Sequence, residues 1–102
     1  MTEDKKKTDT PRVDQWGVPY AKIRDWTSEE VAVAVEYLKR EIPKEWAELE
    51  RLELTTGDLN GSKAVAIQFG KLSKLHPECD PYEVGQLSWK VREIRRYTLG
   101  LK

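Results

Sequence analysis

Apolar residues recur along this chain at spacings of three and four, which is the pattern of helices that each bury one side. The last stripe comprises Val84, Leu87, Val91, Ile94 and Thr98. The earlier stripes comprise Val31, Ala34, Val35, Leu38 and Ile42, then Trp46, Leu49 and Leu52, then Ala64, Val65, Phe69, Leu72 and Leu75. No two-residue hairpin turn lies between alternating runs. The sequence therefore predicts an all-α fold, a small bundle of about four helices.

Capping signals give the predicted boundaries of these helices. Thr27 and Asp80 each precede a glutamate by three residues, which is the spacing of a capping box. Pro43 ends or kinks one helix and suits the first turn of the next. Ser62 is a suitable N-cap, and Gly100 is a suitable stop. The predicted helices span residues 27–42, 43–54, 62–75 and 80–98.

Three segments are predicted from the change in composition along the chain. Residues 1–15 are polar and contain Pro11, so they are predicted to be a disordered tail. Residues 16–25 are predicted to be an extended arm, because Gly17 and Pro19 interrupt the apolar residues there. Residues 26–102 form the predicted helical domain. The arm is expected either to dock on the helices or to bind a partner.

A single core is expected within the helical domain. Its predicted members are the larger apolar residues of the four stripes, which we expect to be mostly buried: Val31, Val35, Leu38, Leu49, Phe69, Leu72, Leu87, Val91 and Ile94.

Composition and charge restrict the class of protein. Apolar residues make up 38% of the chain and charged residues 35%, and no apolar run has the length of a membrane span. The net charge is zero, but residues 25–58 carry −6 and residues 59–102 carry +4. The acidic and basic parts are expected to attract each other in the folded chain. With one cysteine and no signal-peptide pattern, a cytoplasmic location without membrane contact is predicted.

The catalytic and metal-binding residue types are few. The single histidine and the single cysteine, His76 and Cys79, have no accompanying orienting group or oxyanion-hole motif. They supply too few ligands for a structural zinc site. Asp58 begins a stretch that resembles a calcium loop, but position twelve of that loop is Phe69. Glycines do not cluster ahead of a Lys-Ser/Thr pair. The sequence predicts no enzyme, no cofactor and no metal.

A tryptophan on the outward side of the last helix indicates a contact surface. At about 100° per residue, Trp89 projects roughly 180° away from the centre of the apolar stripe. Trp, Tyr and Arg are enriched in binding hot spots. The predicted partner-binding residues are Tyr82, Trp89, Arg92 and Arg96 on this helix, with Trp16 and Tyr20 from the arm. Alternatively, the arm itself covers Trp89.

A basic surface is the alternative site. The nucleic-acid-binding candidates are Lys63, Lys71, Lys74, Lys90 and Arg95 on the last two helices. Ala66 and Gly70 have the Ala-x-x-x-Gly spacing of a helix-turn-helix, but the helical pattern continues to Leu75, so the turn comes too late.

The predicted function is therefore that of a non-enzymatic, helical protein-interaction protein. Its size and charged leader resemble those of small accessory, adaptor or inhibitor proteins, including those encoded by phages. A nucleic-acid-binding regulator is the alternative, and the sequence leaves the oligomeric state open.

Overall fold

The computed structural model describes Val13, Pro19 and residues 23–101, and this part of the chain contains four helices. We number them α1 (Ser28–Glu41), α2 (Pro43–Thr55), α3 (Lys63–Leu75) and α4 (Pro81–Thr98). Val13 and Pro19 pair in an isolated antiparallel bridge, and the described residues form no strand. The all-α prediction is confirmed. The other residues of the predicted tail and most of the arm lie outside the described residues.

The helices begin where the capping residues predict. Thr27 accepts a hydrogen bond from the Glu30 amide, and the Glu30 side chain accepts one from the Thr27 amide. Asp80 and Glu83 form the same reciprocal pair at the start of α4. These caps satisfy amide groups that the first turn of a helix leaves without an intrahelical partner.

A single residue separates α1 from α2. Ile42 ends α1 by donating its amide to the Leu38 carbonyl at 2.8 Å, and Pro43 is the first residue of α2. Proline favours this position because its missing N–H would have no helical partner there. The two helices therefore follow each other through a sharp break.

Each helix contacts the other three, and two apolar clusters lie between them. The larger cluster contains buried side chains from the start of α1 to α4: Trp26, Val31, Ala34, Val35, Leu38, Ile42, Trp46, Leu72, Val84, Leu87 and Val91. The smaller cluster joins Leu49, Leu59 and Ala64. Because Trp46 and Leu49 are three residues apart on one face of α2, this helix connects the two clusters.

The predicted core is confirmed at seven of its nine positions, holds in part at Phe69 and is wrong at Ile94. Phe69 is only half-buried against the larger cluster, and Ile94 is 41% exposed. On α4 the buried stripe continues from Val91 to Arg95, which is 1% exposed. The apolar pattern of the sequence predicts that Ile94 is buried and Arg95 exposed. In the fold Arg95 is buried instead, because Glu53 lies close enough to balance its charge.

None of the described helices is long and apolar enough to cross a membrane.

Candidate partner-binding site

Trp89 lies on the outward side of α4, as its position in the sequence predicts, and is 40% exposed. Its ring lines a cavity of about 610 Å³ near the C-terminal end of the helix, together with Gly57, Arg92, Glu93, Arg96, Tyr97 and Leu101. The indole Nε1 donates a hydrogen bond to Glu93 at 3.0 Å, and the Arg92 guanidinium lies 6.0 Å from the ring centroid. The ring is therefore held in one orientation beside a cation.

The apolar wall of this cavity is completed by the end of α4. Gly100 has a φ of +79°, and its amide donates to the Tyr97 carbonyl, while the Leu101 amide donates to the Arg96 carbonyl. These two bonds form a Schellman motif, which reverses the chain after a helix. The motif brings Leu101 back beside Tyr97, which is 81% exposed.

The arginines of the site are fixed by one buried carboxylate, that of Glu53 on α2. Arg92 donates to both carboxylate oxygens of Glu53 at 2.8 and 3.1 Å, and Arg96 donates to one of them at 2.9 Å. Arg95 Nε lies 3.6 Å from the same carboxylate, whose side chain is fully buried. Arg92 also donates to the Gly57 carbonyl at 2.9 Å. We call Glu53 with these three arginines the Glu53 cluster.

The electrostatics of the Glu53 cluster favour the ionised carboxylate. Burial opposes ionisation, but hydrogen bonds from Arg92 and Arg96 and the charges of Arg92 and Arg95 outweigh it, so the pKa of Glu53 lies below its usual value. Burial in turn lowers the pKa of Arg95, with Glu53 acting in the opposite direction. Gln68 accepts a hydrogen bond from Arg95 at 2.9 Å. The charge of Arg95 is therefore balanced by Glu53, whereas its Nε and Nη2 atoms are buried without a hydrogen-bond partner.

Only some of the predicted partner-binding residues lie together in the fold. Trp89, Arg92 and Arg96 line one cavity, but both arginines also bind Glu53, a role that the sequence does not predict. Tyr82 is half-buried two turns earlier on α4 and is not among the residues that line this cavity. Trp16 and Tyr20 lie outside the described residues, so their predicted contact with Trp89 stays a prediction.

Two residues of the predicted basic surface have other roles in the fold. Arg95 is buried, so its assignment to a nucleic-acid-binding surface is wrong. Lys71 lies 3.8 Å from the carboxylate of Glu41. Lys63, Lys74 and Lys90 are exposed.

Sequence reasoning missed Tyr97, Leu101 and Glu53. Tyr97 follows Trp89 by eight residues, about 80° around the helix, so its place on the same side could have been found from the helical period. Leu101 follows from the Schellman signal at Gly100. Glu53 looks like any solvated glutamate of an acidic helix, and its partners are about forty residues away, so no local signal identifies it.

A second polar cluster lies between α3 and α4. Cys79 Sγ accepts a hydrogen bond from Arg24 at 2.8 Å, and His76 Nδ1 lies 3.0 Å from a carboxylate oxygen of Glu78. Burial raises the pKa of the Cys79 thiol, which Arg24 only partly offsets. The thiol and the imidazole are each engaged with another charged residue, which is not the arrangement of a Cys–His nucleophile pair.

Comparison with known proteins gives no match to a family model, to a curated protein or to a solved structure.

Proposed function

We propose that this chain is a non-enzymatic protein that binds a partner protein at the cavity beside Trp89. The observation that carries the proposal is an exposed indole, held by Glu93 and Arg92 next to the exposed ring of Tyr97. An aromatic side chain that is already oriented loses little conformational entropy on binding. Trp, Tyr and Arg together are the residue types that dominate binding hot spots.

The charge around the cavity defines the chemistry of the partner. The charged residues that line the cavity are Arg92, Arg96 and Glu93, which gives its wall one positive charge in excess. The apolar contribution comes from Trp89, Tyr97 and Leu101. We propose that the ligand is a protein segment that presents an apolar side chain beside a carboxylate.

The chemistry of the other titratable groups agrees with a binding protein rather than an enzyme. The pKa of the only cysteine thiol lies above its usual value, and its neighbours are Arg24 and Glu78. Such a thiol is mostly protonated near neutral pH, whereas a nucleophilic cysteine needs a thiolate. A cytoplasmic accessory or regulatory role, including a phage-encoded one, remains a prediction from size and composition.

A binding selection tests the proposal directly. The full chain is used to select ligands from a library of short random peptides, and the dissociation constant of an enriched peptide is measured by calorimetry. We expect enrichment of an apolar residue next to Asp or Glu. Trp89→Ala should weaken binding about 30- to 1000-fold, which corresponds to a hot-spot loss of about 2–4 kcal/mol.

The control for Trp89→Ala is Ile94→Ala, because Ile94 has nearly the same exposure on the same helix but does not line this cavity. Ile94→Ala should leave the dissociation constant unchanged. Equal losses in the two variants would contradict the proposal. Selection of peptides without acidic residues would contradict its charge component. The full-length variants Trp16→Ala and Tyr20→Ala, tested with the same peptide, examine the predicted role of the arm.

The nucleic-acid alternative gives a different result. Binding of a single-stranded oligonucleotide through lysines would weaken steeply with salt, in proportion to the number of phosphates contacted. If Lys63→Gln and Lys74→Gln lost oligonucleotide binding while Trp89→Ala kept it, the nucleic-acid alternative would be favoured over the peptide-binding site. The burial of Arg95 and the pairing of Lys71 with Glu41 favour the protein partner.

A further inference from the structure

Three side chains of the turn between α3 and α4 have the donor atoms of a transition-metal site. His76, Glu78 and Cys79 each offer one ligand atom, and these atoms all lie within 4.8 Å of one another. His76 Nδ1 and Glu78 Oε2 are 3.0 Å apart, and Cys79 Sγ and Glu78 Oε2 are 3.7 Å apart. Imidazole, thiolate and carboxylate are the three ligand types that zinc uses in proteins.

The His76–Glu78 and Cys79–Glu78 separations are close to those around a tetrahedral ion, whereas the ligand atoms of His76 and Cys79, which lie within 4.8 Å of each other, must approach further on binding. With zinc bonds of about 2.0–2.3 Å, two ligand atoms on one ion lie about 3.3–3.6 Å apart. The two measured separations bracket this range, so binding requires side-chain adjustments of a few tenths of an ångström for these two pairs.

The turn and its surroundings hold the ligands in place before any ion binds. The Cys79 amide donates to the His76 carbonyl at 3.0 Å, which closes the turn that carries all three residues. The imidazole ring packs edge-to-face on the buried Trp26 ring, with centroids 4.8 Å apart. Trp26 is itself fixed through its Nε1, which donates to the Glu83 carbonyl. A ligand set that is already ordered loses little entropy on binding.

This cluster already holds a cation, the guanidinium of Arg24. The Arg24 guanidinium lies 2.8 Å from Cys79 Sγ and 3.5 Å from Glu78 Oε2. The same guanidinium lies 3.8 Å from the centroid of the Trp26 ring and donates to Glu30 at 2.9 Å. If a metal ion took its place at the thiol, Arg24 would keep two of its partners, Trp26 and Glu30.

We propose that His76, Glu78 and Cys79 form a three-ligand site for zinc or a similar thiophilic divalent cation, which competes with the Arg24 guanidinium. Binding replaces the S–H bond of Cys79 by a sulfur–metal bond and releases one proton to the solvent. Three protein ligands leave the fourth tetrahedral position for water or for a donor group of another molecule.

Cobalt(II) titration of the full reduced chain tests this site, because cobalt bound to a thiolate gives a charge-transfer absorption band in the near ultraviolet. We expect one ion per chain, with the band removed by added zinc. Affinity should rise with pH, because binding displaces the thiol proton. His76 and Cys79 are the only residues of their types, so no second histidine or cysteine can replace them.

Substitutions separate a built site from binding to a lone thiol. Cys79→Ser should abolish the band, and His76→Ala and Glu78→Gln should each weaken binding at least about tenfold, because even the loss of a group that only supports a metal ligand typically costs about 10–100-fold in affinity. Glu29→Gln, at an exposed glutamate in the first turn of α1, is the matched control and should have no effect. Arg24→Gln should tighten binding, because it removes the competing cation.

Two results would overturn the proposal. One is the absence of a thiolate–cobalt band at any pH at which the protein is folded. The other is a band that His76→Ala and Glu78→Gln leave unchanged, which would mean adventitious binding to the thiol alone. Weaker binding in Arg24→Gln would refute the competition with the guanidinium. Circular dichroism of each variant separates these results from misfolding, and Glu78 is exposed, so its substitution should leave the fold intact.

Discussion

At the scale of single residues, the carboxylate of Glu53 is expected to contribute more stability than any exposed charge. Glu53→Gln leaves the guanidinium groups of Arg92, Arg95 and Arg96 without their shared counter-ion. Removing one partner of a buried ion pair typically costs about 3–5 kcal/mol. Chemical denaturation of this variant should show a loss of that order. Glu48→Gln, which breaks an exposed pair with Arg51 on the same helix, should cause little change.

The same carboxylate gives the stability a dependence on pH. Because the pKa of Glu53 is lower in the folded chain than its ordinary value of 4.5, its contribution is present above that pH. The contribution is lost as the pH falls below 4.5 and through the lower pKa of the folded state. Melting temperatures measured from pH 7 to pH 2 should therefore decrease less steeply at the acidic end in Glu53→Gln than in the natural chain. Parallel curves would show that Glu53 is not the responsible group.

The pair Leu87 and Ile94 tests the packing of α4. Leu87 is fully buried in the larger cluster, so Leu87→Ala should cost about 2–5 kcal/mol of the free energy of unfolding. Because Ile94 is 41% exposed, Ile94→Ala should cost much less free energy of unfolding than Leu87→Ala. Denaturant midpoints of the two variants measure the difference. Similar losses would mean that α4 turns a different side toward the larger cluster.

At the scale of elements, the end of α4 connects the stability of a helix to the shape of the partner-binding site. Gly100 has a positive φ, and any other residue there is strained, so Gly100→Ala should destabilise the chain by about 1 kcal/mol. The substitution should also weaken peptide binding, because Leu101 depends on the Schellman motif. Gly85→Ala, inside α4, is the control, since a Cβ there meets no atom within 4 Å. That substitution should be neutral or stabilising, as alanine favours helices.

The elements themselves are the part of the structure that sequence predicts best. Thr27, Ser62 and Asp80 give helix starts correctly because capping depends on neighbours within three residues. The choice between Ile94 and Arg95 as the buried residue depends instead on Glu53, forty-two residues earlier in the chain. The contact between Arg24 and Cys79 joins residues fifty-five positions apart. Such contacts exist only after the helices have packed, and no local pattern encodes them.

At the scale of the whole molecule, the two apolar clusters are expected to unfold together. Trp46 belongs to the larger cluster and Leu49 to the smaller one, and the Glu53 cluster joins the end of α2 to α4. Thermal unfolding followed by far-ultraviolet circular dichroism and by tryptophan fluorescence should give coincident curves, as for a two-state domain. Two separate transitions would show that the smaller cluster unfolds independently.

The separation of acidic and basic residues along the sequence also stabilises the fold as a whole. The acidic segment 25–58 supplies Glu53 and Glu41, and the basic segment 59–102 supplies the arginines of α4 and Lys71. The predicted attraction between the two halves is thus confirmed by ion pairs between α2 and α4 and between α1 and α3.

The sharing of one carboxylate among three arginines also restricts the order in which mutations can accumulate. A lineage that lost the charge at position 53 first would keep a buried cation at Arg95 with its counter-ion gone, and selection would act against it. Replacing Arg95 by methionine or leucine in that background would remove the buried charge and recover stability. The effect of one substitution therefore depends on the other, which is epistasis. A pairwise mutational scan should find that Arg95→Met or Arg95→Leu destabilises the natural chain but stabilises the Glu53→Gln variant.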